Sequence, residues 1–213
     1  MKTKKIELYI HIPFCKSKCR YCDFCSFQAE NAVIDDYITK LKEELIFWGK
    51  KLTKEEVVTV FIGGGTPSYL KEQYIKEICN VIFQYFKVSE NAEITIEANP
   101  GTVDLKKLCT YRESGINRIS FGLQSTIQEE LQYLGRIHTY EQFLQCYNWA
   151  REAGFCNISV DLMSAIPKQT IHSYEKNLRT IAELSPEHIS AYSLIIEEGT
   201  PFYEDENLED LLP

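Results

Sequence analysis

Val57-Val58-Thr59-Val60-Phe61-Ile62 runs without a break into Gly63-Gly64-Gly65-Thr66-Pro67. A short apolar run rich in β-branched and aromatic residues, ended abruptly by turn formers, reads as a strand buried on both faces. Beyond it, from Gln73 to Phe86, apolar residues recur at spacings of three and four, the period of a helix with one buried stripe. Strand, glycine loop and helix in that order are the unit of a parallel sheet, because a parallel partner strand needs a crossover connection.

The unit recurs along the chain. Further strand-like runs occupy Leu8 to Ile12, Glu93 to Ala98, Arg118 to Leu123, Asn157 to Leu162 and His188 to Ile195. Helix-like stretches occupy Val33 to Phe47, Val103 to Glu113, Tyr140 to Ala153 and Ser173 to Leu184. Ile34, Tyr37, Ile38, Leu41 and Leu45 mark the buried stripe of the first helix, while Gly115 and Gly154 stand where a helix should stop before the next strand. The expected fold is α/β, with parallel strands closed or partly closed into a barrel. No Gly/Ser linker divides the chain, so residues 1–213 read as one core domain; from Glu197 onward an acidic, turn-rich tail leads out of it.

Composition sets outer limits. At 213 residues, 44% hydrophobic and 25% charged, the chain suits one ordinary globular domain. A net charge of −8 without clustered Lys and Arg speaks against an extended nucleic-acid surface. No apolar run approaches the ~20 residues of a membrane helix. The basic start, Met1 to Lys5, lacks the apolar segment of a secretion signal. The expectation is a cytoplasmic protein with no integral membrane segment.

Of eight cysteines, Cys15, Cys19, Cys22 and Cys25 lie close together near the N-terminus. Without a secretion signal, metal ligation explains that grouping better than disulfides. Cys79, Cys109, Cys146 and Cys156 fall among apolar or helical patterns, where a free cysteine acts as a small hydrophobe. Cys15-x3-Cys19-x2-Cys22 follows the first strand, so one short loop can offer three thiolates to a single iron–sulfur cluster and leave one iron open. A structural zinc site is the alternative, with Cys25 or His11 as the fourth ligand. Gly63 to Gly65 follow the second strand, and residues without Cβ let backbone groups approach a ligand closely; a plain tight turn is the simpler reading of the glycines alone. Both segments fall at strand carboxyl ends, where parallel α/β folds gather their ligands.

The cysteine spacing, with Tyr21 before the last cysteine and a Gly-Gly-Gly-Thr-Pro segment following, resembles the radical S-adenosylmethionine (SAM) signature. A narrower resemblance comes from Tyr9-Ile-His11-Ile-Pro13-Phe14-Cys15, Tyr21-Cys22-Asp23-Phe24, Phe61-Ile-Gly-Gly-Gly-Thr-Pro67, Glu97-Ala-Asn-Pro100, Ser120-Phe-Gly-Leu-Gln124-Ser125, Leu134-Gly-Arg136 and Asp161-Leu162. Together these are similar to the family of HemN, the oxygen-independent coproporphyrinogen III dehydrogenase, and HemW, a heme chaperone.

That resemblance implies a partial (β/α)6 radical SAM barrel with a [4Fe-4S] cluster on Cys15, Cys19 and Cys22, and SAM bound at the open iron. It further implies Tyr9 beside the adenosyl group, Gly64, Gly65 and Thr66 at the methionine amino end, and Glu97, Gln124, Arg136 and Asp161 around the carboxylate and ribose. Backbone contacts to adenine from Leu194 or Ile195 are part of the same expectation. The chemistry suits these residue types, since Arg136 can pair with a carboxylate and Glu97 and Asp161 can accept from hydroxyls.

Two activities compete within the family: oxidative decarboxylation of porphyrinogen propionates, and heme binding with delivery to heme-accepting proteins. Phe24 stands where the porphyrinogen enzymes carry a fourth cysteine, and Leu134-Gly-Arg-Ile-His138 and Glu197-Glu-Gly-Thr-Pro201 resemble HemW. The reading is therefore a HemW-like core that binds SAM, with heme as a further ligand and an electron donor such as flavodoxin or ferredoxin. The porphyrinogen dehydrogenase is the second reading, and a non-catalytic iron–sulfur or zinc module the third. Two departures stand out. Met163-Ser-Ala-Ile-Pro167 replaces a Gly-Leu-Pro segment of the family, and its C-terminal domain, with the heme-linked histidine segment, has no counterpart here.

Overall fold

The computed structural model describes residues 3–208 and 213. The expected acidic tail lies partly outside them, at 209–212, as do the first two residues of the basic start. Six strands form one sheet in chain order: β1 Lys5–Ile12, β2 Glu56–Gly64, β3 Val88–Ala98, β4 Arg118–Gln124, β5 Ile158–Ser164 and β6 His188–Ser193. Every neighbouring pair is parallel. Helices α1 Asn31–Lys51, α2 Glu72–Tyr85, α3 Leu105–Glu113, α5 Tyr140–Glu152 and α6 Ile171–Glu183 form the crossovers, with a short α4, Gln128–Tyr133, before α5. The expected α/β barrel of parallel strands is the one found, open between β1 and β6.

Burial explains the arrangement. In β4 every residue from Ile119 to Gln124 is buried, as a strand covered on both faces requires. In α2 the buried residues Ile75, Ile78, Cys79 and Ile82 share one stripe, and in α1 Ile34, Ile38, Leu45 and Gly49 do the same. At Gly49 the helices meet so closely that a Cβ would stand 2.6 Å from that of Tyr85. Thr139 and Thr170 close capping boxes at the starts of α5 and α6. Gly115 and Gly154 end α3 and α5, each at φ 89°, in the left-handed region that glycine enters freely.

Cys79 and Cys146 are buried as expected, Cys109 is partly covered, and Cys156 is exposed. The last departs from the expected apolar packing because Cys156 precedes β5, in the turn that follows Gly154, where the chain runs over the surface.

Candidate functional site

The loops after β1 to β4, the end of β5, and β6 with the segment that follows it converge on one cavity of about 530 Å³. The cysteine loop is closed at its base by Phe14 and Phe27, which pair as a bridge, with Cys15 N–H donating to Phe27 O at 3.0 Å and Phe27 N–H to Pro13 O at 2.8 Å. Its middle is fastened at Arg20, whose N–H donates to Leu134 O at 3.0 Å and whose carbonyl accepts from Phe202 N–H at 3.1 Å. Loop and tail meet again in the Arg20–Asp205 ion pair, 2.8 Å.

The glycine loop lies against the same segment. Gly65 N–H donates to Ile12 O at 2.8 Å and Thr66 N–H to Phe14 O at 2.9 Å. A Cβ at Gly65 would stand 2.9 Å from Phe14 O and 3.0 Å from Ile12 O, both backbone atoms, so the close approach needs glycine. These glycines are thus more than a turn: they let two loops share one wall.

A side-chain circuit ties the cysteines to the rest of the cavity. Cys15 Sγ lies 3.5 Å from Thr66 Oγ1, which accepts from Asn99 Nδ2 at 2.9 Å. Asn99 Oδ1 accepts from Arg136 Nη2 at 2.7 Å, and Arg136 Nη1 reaches Cys19 Sγ at 3.5 Å. Arg136 Nη2 also donates to Gly122 O. No carboxylate pairs with this buried guanidinium among the described residues; burial opposes its charge, while Tyr21 and Cys19 beside it raise its pKa on balance. A buried unpaired cation favours an anionic ligand.

The carboxylates stand across the cavity. Glu97 accepts from Gly64 N–H at 3.0 Å, yet burial, with the Asp161 charge nearby adding to it, lifts its pKa to about 7. Burial raises Asp161 too, although Ser120 Oγ donates to its Oδ1 at 3.3 Å. Gln124 enters at φ 74°, beside a register shift between Gly122 and Gln124, and its Oε1 accepts from Tyr192 Oη at 2.8 Å. His138, buried behind this wall, donates from Nε2 to Leu123 O at 3.2 Å; burial and Arg136 hold its pKa near 3, so the ring is neutral.

Cys15, Cys19, Cys22, Gly64, Gly65, Thr66, Glu97, Gln124, Arg136 and Asp161 all line this cavity. Tyr9 does not: its side chain is exposed, stacked 6.1 Å from Phe61, with its hydroxyl 3.1 Å from His11 Nδ1. Cys25 and His11, the fourth ligands a closed site would use, are also outside, and His11 Nε2 is occupied by Cys25 O at 2.9 Å. Among the described residues no three of His, Cys, Asp and Glu approach closely enough to chelate one ion. A [4Fe-4S] cluster asks for something different, because each cysteine binds its own iron. Three thiols on one pinned loop, glycines that open the wall and a buried cation fit a cluster with an anionic ligand beside it. Leu194 turns into an apolar group with Leu134, Met163, Ile166 and Phe202, whereas Ile195 reaches the cavity rim. Sequence reasoning missed Tyr192, whose position opposite Gln124 depends on strand register, and the bridging role of Asn99, whose signal was its place in the Glu97-Ala-Asn-Pro100 segment.

Residues 9–181 match the radical SAM superfamily. The heme chaperone HemW of Bacillus subtilis (strain 168) is 40% identical over 92% of this chain and 52% of its own length. HemW of Escherichia coli (strain K12) is 39% identical over 95% of this chain and 54% of its own. The chain thus spans about half the length of these relatives. The structure of coproporphyrinogen III oxidase (HemN) from Escherichia coli, a radical SAM enzyme, superposes with a TM-score of 0.89 at 29% identity, covering 100% of this chain and 49% of that one. With the cysteine loop, the glycine wall and the strand-end cavity in one parallel barrel, the chain belongs to the radical SAM superfamily, whose members use a [4Fe-4S] cluster and SAM.

Proposed function

We propose that this chain is the SAM-binding core of a heme chaperone similar to HemW, with residues 1–213 as its radical SAM domain and a [4Fe-4S] cluster on Cys15, Cys19 and Cys22. The observation that carries this is the circuit Cys15–Thr66–Asn99–Arg136–Cys19, which joins the cysteine loop to a buried cation in the cavity that also holds Glu97, Gln124 and Asp161. When bound and reduced, the cluster supplies the electron that opens a carbon–sulfur bond of SAM.

The chain's own residues do the rest. Cys22, whose thiol pKa burial pushes up, must lose its proton to solvent to bind iron as a thiolate, so cluster assembly would release protons. Arg136 spends Nη2 on Asn99 and Gly122 and one Nη1 hydrogen on Cys19, so a ligand carboxylate would meet it through a single remaining N–H, of Nε or Nη1, and through its charge. Gly64 and Gly65 admit an amino group to the backbone. Glu97 and Asp161 take hydroxyl donors, which favour their ionised forms against burial. Tyr9 would have to turn inward to meet the adenosyl group.

Heme binding, delivery to heme-accepting proteins and reduction by a flavodoxin or ferredoxin belong to the whole protein that this chain would be part of. Porphyrinogen decarboxylation is the second reading, supported by the HemN superposition; the higher identity to HemW favours the chaperone. The test is anaerobic reconstitution with iron and sulfide, then electron paramagnetic resonance of the reduced protein with and without SAM. A cluster signal that SAM shifts is expected. A cluster indifferent to SAM would refute the reading. Turnover of coproporphyrinogen would replace the chaperone with the enzyme.

A further inference from the structure

Glu130, on α4, is a buried carboxylate that enters no ion pair among the described residues. It does not line the cavity. Its Oε2 accepts from Ser125 Oγ at 2.6 Å, Asn177 Nδ2 at 3.0 Å and Gln169 Nε2 at 3.1 Å, and its Oε1 from Ser173 Oγ at 2.9 Å. These donors come from four places: the β4 end, the loop after β5, and both the first and second turns of α6. Asn177 Oδ1 in turn accepts from Thr126 N–H at 2.8 Å.

Two of these branches, through Ser125 and Gln169, and the helix that bears Glu130 lead to walls of the cavity. Ser125 directly follows Gln124, which is held at a positive φ that a glutamine does not adopt unaided. Arg136 stands three residues beyond the helix bearing Glu130, and its N–H donates back to Leu131 O of that helix at 2.9 Å. Gln169 Nε2, besides Glu130, donates to Met163 O at 3.3 Å, and Met163 lines the cavity. A buried carboxylate is costly unless every lone pair is used, so a network built wholly of neutral donors around one is demanding in geometry.

We propose that Glu130 is the positioning residue of the ligand cavity, setting Gln124, Arg136 and Met163 at once through neutral hydrogen bonds, without touching the ligand itself. This rests on the reading that the cavity takes SAM.

The test uses the full chain, anaerobically reconstituted, with SAM binding read by calorimetry and by the SAM-induced change in the cluster's resonance signal. Glu130→Ala should keep iron and sulfide content, weaken SAM binding by about tenfold or more, and speed hydrogen exchange of amides 123–136. Glu130→Gln should restore binding: its amide oxygen can serve the three donors at the Oε2 position, and its NH2 can donate to Ser173 Oγ, which is free to donate to Thr170 O at 3.0 Å. Leu108→Ala, a fully buried residue of α3 remote from this network, controls for plain loss of stability and should leave SAM affinity unchanged. If Glu130→Ala does not fold, Ser125→Ala, which removes one donor, should give a smaller weakening in the same direction. Unchanged SAM affinity in Glu130→Ala or the folded Ser125→Ala, failure of Gln to rescue, or an equal loss in Leu108→Ala overturns the proposal while leaving the SAM reading standing. A wild-type cluster that ignores SAM overturns both.

Discussion

Ala165 holds φ 58°, in the left-handed region where a Cβ is unwelcome. In Met163-Ser-Ala-Ile-Pro167, the segment that departs from the family's Gly-Leu-Pro pattern, this Cβ is a source of local strain that glycine would not carry. Ala165→Gly should therefore stabilise the fold by about 1 kcal/mol, raising the melting temperature by roughly 2–4 °C in a thermal melt. At the cysteines, Cys22→Ser should abolish the cluster absorbance after reconstitution, whereas Cys25→Ser should leave it intact, because Cys25 is exposed and outside the cavity. Glu97 sets a pH dependence whose sign follows from its raised pKa. Between 4.5 and about 7 the folded, ligand-free state binds more protons at this carboxyl than the unfolded chain does. Its contribution is full below that window and is lost as pH rises through it, by at most about 3 kcal/mol. Urea titrations of the ligand-free chain at pH 5 and pH 8 should show this loss, and Glu97→Gln should flatten it.

Among the elements, the glycine loop after β2 has little room for a side chain. Gly65→Ala places a methyl against Ile12 and Phe14 backbone atoms that cannot swing aside; it should cost about 1–3 kcal/mol and impair cluster assembly, measured by denaturant melts and iron content. The five main crossover helices were legible from their apolar stripes, as Ile34, Ile38 and Leu45 illustrate. Six-residue α4 was not, because it is too short for a period to emerge and its buried members include the charged Glu130. The site divides the same way. Cys15, Cys19, Cys22 and the glycines announce themselves through local spacing. Asn99, Tyr192 and Glu130 act through partners 37, 68 and up to 47 positions away, a distance that no local pattern encodes. Gln124 shows the intermediate case: its motif marked it, but the irregular register that turns it inward belongs to β4 and β5 together.

Across the whole molecule stability is graded along the sheet. β4 is buried throughout its last six residues, while in β6 His188, Ala191, Tyr192 and Ser193 are exposed. Hydrogen exchange followed by mass spectrometry should find the slowest amides in β3 and β4 and much faster ones in β6; uniform protection across the six strands would contradict this gradient. The cavity draws on segments at the ends of all six strands, so its parts are far apart along the chain even though they close around one space. During synthesis Cys22 leaves the ribosome 139 residues before Asp161, which at ordinary elongation speeds is a delay of roughly seven to thirty seconds. For that interval the thiols exist without the walls that will enclose them, and a nascent chain has to be protected from oxygen and stray metal ions by its surroundings rather than by its own fold.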